Sequence, residues 1–222
     1  MVEISTSLLS VKKEDIITTI YDLETAHTDY FHIDVMDGKF VENNTASLML
    51  EYSEYIKQIS NIPLDVHLMV EDVKSYVATY LGSNPNIITF HLEACKDKNE
   101  VIELIKYIKE NNCRVGISIK PNTKLEEIYE YLPYIHTCLV MTVEPGKGGQ
   151  KLITSTIEKI KKLDTYIKEK NLEVDIEADG GINVDNIKDI LGAGINIAVV
   201  GSAIVNSDNC SEYMKKLKEC CN

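Results

Sequence analysis

The sequence predicts an α/β fold, a single (β/α)8 TIM barrel, and three observations carry that prediction. Short β-branched runs recur along the chain with amphipathic stretches between them, as expected of a parallel sheet built from βα units. The count of such runs reaches eight. The chain has 222 residues, an ordinary size for one barrel, and no Pro/Gly-rich linker or low-complexity segment divides it. Residues 1–222 are therefore expected to form one domain, with an open doubly wound sheet as the structural alternative.

The predicted strands span residues 3–9, 30–35, 64–69, 87–91, 114–119, 138–142, 173–178 and 197–200. The predicted helices between and after them span 13–24, 46–59, 73–81, 100–111, 125–131, 155–170, 184–191 and 212–220. Within 100–111, Val101, Ile102, Ile105 and Ile108 share one helical stripe while Lys and Glu occupy the opposite face.

Composition narrows the functional classes. Hydrophobic residues make up 44% and charged residues 26%, values of a globular protein with a sizeable core, which excludes disorder as the main state. Asp and Glu number 35 against 23 Lys and Arg, the formal net charge is -12, and the only arginine is Arg114. Nucleic acid is excluded as a partner, because phosphate-backbone affinity needs clustered cations. No run approaches the roughly 18 apolar residues that span a bilayer. Met1 leads into VEISTSLLS without a basic segment, so a cytoplasmic location and no membrane partner are expected. Cys95, Cys113, Cys138, Cys210, Cys220 and Cys221 form no CxxC pair and are expected as free thiols.

Active sites of such barrels lie at the C-terminal ends of the strands. The second strand, YFHIDVM, places His32, Asp34 and Met36 on one face and Phe31, Ile33 and Val35 on the other. Helices cover the apolar face, so His32 and Asp34 point into the barrel, where an unpaired charge costs several kcal/mol. The third strand, LDVHLM, repeats the pattern with Asp65, His67 and Met69 inward. The seventh ends IEAD, with Glu177 and Asp179 of one parity and Asp179 at the mouth.

A lone buried histidine is ordinarily a hydrogen-bonded core residue. Four groups at matching depth, His32, Asp34, His67 and Asp179, point instead to one divalent metal ion per subunit. A nitrogen and oxygen donor set leaves Zn, Fe(II), Mn and Co all open. His91, Glu93 and Asp65 either orient these ligands or make simple structural hydrogen bonds. His27 and His136 are expected at the surface or at helix ends. Glycines cluster in VEPGKGGQ (Gly146, Gly148, Gly149), DGGI (Gly180, Gly181) and VVGSAI (Gly201, Ser202), after the sixth, seventh and eighth strands. The last two clusters occupy the loops where barrels grip phosphate through backbone N–H groups. Residues 146–149 also suit a mobile lid, with Lys147 and Gln150 as its polar side chains.

Taken in order, HIDVMDGKFVENNT, LDVHLMV, HLEA, VMTVEPGKGGQ, EADGGI and VVGSAI closely resemble the ribulose-phosphate 3-epimerase family, metal-dependent (β/α)8 enzymes of the pentose phosphate pathway. The likeness runs from TSLLS to VVGSAI. It implies that His32, Asp34, His67 and Asp179 bind the metal and that Asp34 and Asp179 are the acid/base pair. It further implies that Ser7 and His67 touch the sugar and that Gly146, Lys147, Gly148, Gly149, Gly180, Gly181, Gly201 and Ser202 surround the substrate and its phosphate. Met36, Met69 and Met141 would cap the reacting carbons. Family habit also implies a homo-oligomer. The chain departs from the family pattern at Thr6 and Glu42, where proline is usual, and at Lys147, where a large apolar or aromatic residue is usual. Lys147 either reaches the phosphate or points to solvent.

The reaction so implied interconverts D-ribulose 5-phosphate and D-xylulose 5-phosphate by two-base proton transfer at C3 through an enediolate. A D-allulose-6-phosphate 3-epimerase would use the same groups on a six-carbon ketose phosphate. A lyase or decarboxylase of a related phosphate-binding barrel, and a non-catalytic sugar-phosphate binder, are the readings from other classes.

Overall fold

A computed structural model describes residues 2–221. Eight parallel strands close in chain order: β1 (Glu3–Ser7), β2 (Tyr30–Met36), β3 (Leu64–Met69), β4 (Ile87–His91), β5 (Arg114–Ile119), β6 (Thr137–Met141), β7 (Asp175–Asp179) and β8 (Ile197–Val200), with β8 pairing back onto β1. The helices are α1 (Ile16–Thr25), α2 (Ala46–Ile59), α3 (Val73–Leu81), α4 (Lys98–Glu110), α5 (Ser155–Glu169), α6 (Ile187–Leu191), α7 (Ser202–Val205) and α8 (Cys210–Cys220). The closed (β/α)8 barrel is the predicted fold, and the open-sheet alternative is excluded by the β1–β8 pairing.

Period-two alternation explains the two faces of each strand. On β2, Phe31, Ile33 and Val35 are completely buried among the helices, each such side chain contributing about 1.5–3 kcal/mol by leaving water. His32, Asp34 and Met36 point the other way. Asp72, Asn209 and Asp97 cap α3, α8 and α4 by accepting backbone N–H groups, each cap being worth about 1 kcal/mol. At the foot of the barrel Tyr30, Ile87 and Ile197 form an apolar plug. Beside it Arg114 pairs with Asp175 at 2.7 Å.

Residues 125–131 do not form the expected α-helix. They and the residues after them make two single turns of 3-10 helix, Leu125–Glu127 and Leu132–Tyr134. Pro133 has no N–H to donate and disfavours helical backbone at Leu132, and a segment this short does not offset the cost of nucleating a helix. Leu125, Ile128 and Leu132 are nevertheless buried, so the turns cover the sheet as a helix would. Two strands end earlier than predicted. β1 stops at Ser7 because Leu9 N–H turns back to the Ser7 hydroxyl and Val11 N–H to the Leu8 carbonyl. β6 ends at Met141, whereas β7 continues through Asp179. The four-residue α7 after β8 was not anticipated, being too short to show a period.

Candidate active site

Strand register brings the predicted groups together. Asp34 pairs with His67 and His32 with Asp65 across β2 and β3, so the two strands present these residues at two successive depths. On β7, Asp179 ends the strand opposite Met141 of β6. His67 Nδ1 lies 3.4 Å from both Asp34 Oδ1 and Asp179 Oδ2, and His32 Nε2 lies 3.4 Å from Asp34 Oδ1. His32, Asp34, His67 and Asp179 each offer a ligand atom within 4.8 Å of the others.

These residues fit a divalent cation. Donor atoms about 2.1 Å from a tetrahedral ion stand about 3.4 Å from one another, which matches the three separations. His32 Nε2 and His67 Nδ1, both buried, have no hydrogen-bond partner, so both ring nitrogens face the same small space as the carboxylates. The outer nitrogens are anchored: His32 Nδ1 is 2.6 Å from Asp65 Oδ2, and His67 Nε2 is 3.0 Å from His91 Nε2.

Burial works against charge on every group here, and the neighbours decide each outcome. At His32, burial is outweighed by Asp65 and Asp34, and the imidazole is held well above its ordinary range. At His67, Asp179 and Asp34 overcome burial in the same direction. Burial of Asp34 is outweighed by His32 and His67, which hold its carboxyl far below the usual carboxylate range. Asp65 is lowered because His32 overcomes its burial. Glu177 goes the other way: burial, reinforced by Asp65, pushes it well above the usual range. The carboxylates thus demand positive charge, which either protons on the imidazoles or a metal ion between them supplies.

Ser7 donates to Asp34 Oδ2 at 2.6 Å and fixes that carboxylate on its remaining side. Thr45 Oγ1 donates to the Asp34 carbonyl at 2.6 Å and accepts Met36 N–H at 3.0 Å, tying the loop after β2 to the strand end. One cleft opens above, lined by Ser7, Asp34, Met36, Met69, Met141, Gly146, Lys147, Gly148, Gly149, Asp179, Gly180, Gly181, Gly201 and Ser202. Those are the predicted site residues apart from His32 and His67, which are fully buried and meet the cleft through the aspartates. Met36, Met69 and Met141 are themselves at most 2% exposed.

Backbone conformation shapes the far wall. Gly181 has φ of +69°, and a Cβ there would come within 2.5 Å of Leu152 N, so only glycine fits. Gly146, at φ +104°, lies against Val41, and its carbonyl accepts Asn43 Nδ2 at 2.7 Å. Gln150 Nε2 donates to the carbonyls of Glu144 and Lys147, both at 2.7 Å, closing the 146–149 turn on itself. Lys147 is exposed at the rim.

Sequence reasoning missed part of the wall: Leu9, Ser10, Val143, Glu144, Ile182 and Val199 also line the cleft. Strand parity with Ile197 would have placed Val199 inward, but no pattern marks Leu9 or Ser10, which the chain carries there by turning after β1. Asp65 bonds to His32, and His91 and Glu93 form a chain behind His67, so all three stand beside the ligand set. His27 is exposed just after α1, and His136 sits partly buried before β6, accepting Val115 N–H.

The model of the ribulose-phosphate 3 epimerase family matches residues 3–205. The ribulose-phosphate 3-epimerase of Bacillus subtilis (strain 168) is 33% identical over 219 residues, covering 98% of this chain and 99% of that protein. That of Methanocaldococcus jannaschii is 36% identical over 219 residues, covering 99% and 91%. Among solved structures, KGPDC from Streptococcus mutans superposes with a TM-score of 0.73 at 12% identity, covering 99% of this chain and 97% of that one. The 3-hexulose-6-phosphate synthase of Salmonella typhimurium gives 0.73 at 16%, covering 98% and 97%. At such identities the structures speak to the barrel alone. Family match and full-length relatives agree: this chain belongs to the ribulose-phosphate 3-epimerase family, enzymes that act on carbohydrates.

Proposed function

We propose that the barrel is one catalytic unit that interconverts D-ribulose 5-phosphate and D-xylulose 5-phosphate, with Asp34 and Asp179 as its two bases. The observation that carries this reading is their common reach. Aspartates from β2 and β7 both approach His67 Nδ1 at 3.4 Å and open into one cleft. Inverting C3 requires removing its proton on one face and returning one on the other, which two separate carboxyl groups can do. One carboxylate takes the C3 proton, and the C–H electron pair moves into an enediolate over C2 and C3. The other, entering as the carboxylic acid, gives its proton to the opposite face as the pair returns to C3. The reverse direction exchanges their roles, and no redox partner is needed.

His32, Asp34, His67 and Asp179 would hold one divalent ion, Fe(II), Zn, Mn or Co, which supplies Lewis-acid stabilisation of developing negative charge. Ser7 orients Asp34 through its 2.6 Å hydrogen bond and, with His67, borders the sugar. Met36, Met69 and Met141 keep bulk water from the reacting carbons. Gly180, Gly181, Gly201 and Ser202 receive the phosphate on backbone N–H groups. Residues 146–149 cover the ligand, with Lys147 the one lysine lining the cleft. The reading includes a place in the pentose phosphate pathway and a cytoplasmic homo-oligomer. No helix among the described residues is long and apolar enough to cross a membrane.

Turnover of purified, metal-loaded protein on D-ribulose 5-phosphate and D-allulose 6-phosphate, followed by NMR, tests the assignment. A kcat/KM at least tenfold higher on the pentulose phosphate is expected. Preference for the hexulose phosphate would move the substrate to that sugar while leaving the two-base chemistry, and no product from either would overturn both.

A further inference from the structure

The mouth of β4 carries a cluster that the proton transfer does not use. His91 ends β4 and is completely buried, with Nε2 3.0 Å from His67 Nε2 and Nδ1 3.1 Å from Glu93 Oε2. Two imidazole nitrogens at 3.0 Å share one proton, so one of them donates and the other accepts. The far side of the chain decides which. Glu93 Oε1 accepts Lys120 N–H at 2.7 Å and the Thr123 hydroxyl, and together with His91 these donors overcome burial and lower the carboxyl to about 2, so Glu93 is an ionised acceptor with no proton to give. His91 Nδ1 therefore carries the proton donated to Glu93, and its Nε2 presents a lone pair. His67 Nε2 must then be the donor, which turns the Nδ1 lone pair of His67 toward Asp34 and Asp179.

His91 is also roofed by an aromatic ring. The Phe40 ring lies 5.0 Å from His91, centre to centre, and Lys120 Nζ stands over the Phe40 ring, 4.1 Å from its centre. Asp37 holds that loop in place by accepting Lys39 N–H at 2.8 Å, Phe40 N–H at 2.9 Å and, from the loop after β3, Glu71 N–H at 2.8 Å. Water that would compete for His91 Nε2 is thereby kept away.

We propose that His91 and Glu93 are positioning residues that lock His67 in the tautomer whose Nδ1 is free to bind a cation between Asp34 and Asp179, under a roof formed by Phe40. The proposal rests on the metal reading of the site. It assigns a division of labour behind one ligand: Glu93 orients His91, and His91 orients His67.

Zinc affinity, measured by competition with a chromophoric chelator, tests it in the wild type and in His91→Leu and His91→Gln. Leucine removes both hydrogen bonds, and affinity should fall about 10- to 100-fold. Glutamine offers an oxygen to His67 and an N–H to Glu93, and should restore most of that loss, whereas a purely space-filling role would favour leucine. In the zinc-loaded wild type, 15N NMR should show His91 protonated on Nδ1 and bare on Nε2, a readout that holds even should the leucine variant fail to fold. A proton on His91 Nε2, or equal affinity in wild type and His91→Leu, would overturn the positioning role alone. Wild-type protein that takes up no zinc, Mn(II), Co(II) or Fe(II) would overturn the metal reading beneath it.

Discussion

The floor and the rim of the cleft are made of different materials. The floor, from β2, β3 and β7, presents His32, Asp34, His67 and Asp179 on rigid strands, with Asp65 and His91 bonded behind the histidines. The rim, from the loops after β6, β7 and β8, presents mainly glycine backbone, with Glu144 and Lys147 as charged side chains. Chemistry that moves a proton needs groups held to within a fraction of an ångström, which strands and buried hydrogen bonds provide. Recognition of an anion needs converging N–H groups, which glycine-rich turns provide without any arginine. Breaking each half separately should therefore damage different kinetic quantities.

The largest effect is expected on the floor. Asp34→Asn and Asp179→Asn should each lower kcat by about 100- to 10,000-fold, the usual contribution of a positioned acid or base. KM should move little, because the rim is untouched, and circular dichroism should show the barrel still folded. A tenfold rise in KM with kcat preserved would invert the division between floor and rim.

Metal removal comes next. Chelation should abolish turnover, and reloading should restore it. An ion present at a hundred times its Kd stabilises the fold by about 2.7 kcal/mol, so stripping it should lower the thermal midpoint by roughly 5–10 °C for a chain of this size. An unchanged midpoint would mean that the four floor residues hold no ion.

At the rim, Gly181→Ala must leave a positive-φ conformation or push Leu152 N aside. We expect a KM for the sugar phosphate raised at least tenfold with kcat within a few-fold, and about 1–3 kcal/mol less stability from the strained position. Differential scanning calorimetry and initial rates separate the two effects.

The smallest effect is on pH dependence, and it belongs to the floor alone. Burial, with the nearby His67 acting in the same sense, outweighs Glu93 and lowers His91 to about 4, below its ordinary 6.5. Between these values the unfolded chain binds a proton at His91 that the folded chain does not, so the contribution of His91 to stability falls as pH drops from about 6.5 to about 4 and is flat below, against the opposite contribution of the raised Glu177. Glu93, lowered to about 2 because His91 and its N–H and hydroxyl donors overcome burial, extends the same slope downward. The difference in stability between wild type and His91→Gln should therefore shrink as pH drops from about 6.5 to about 4 in urea melts. A difference that stays constant across this range would place the acid sensitivity elsewhere.

How far each half was legible in the sequence follows from the same contrast. Alternation along β2, β3 and β7 was enough to turn His32, Asp34, His67 and Asp179 inward, because a strand has only two faces. Their mutual distances were not legible, since they depend on the Asp34 to His67 register between strands 33 residues apart. Glycine clusters marked the rim loops but not their neighbours Leu9, Ser10 and Ile182, which depend on how turns carry the chain over the cleft. Thr45 holds the Asp34 carbonyl from eleven residues away with no pattern to announce it. The one misread element, 125–131, failed where apolar spacing competed with Pro133 just beyond it.

Exchange at C3 tests the central claim most directly. Metal-loaded protein is incubated with D-ribulose 5-phosphate in deuterated water, and label at C3 and D-xylulose 5-phosphate are followed together by NMR, in the wild type and in Asp34→Asn and Asp179→Asn. The account predicts label and product in the wild type, product abolished or slowed at least 100-fold in both variants, and neither after chelation. Epimerised product at wild-type rate from either variant would contradict the two-base floor.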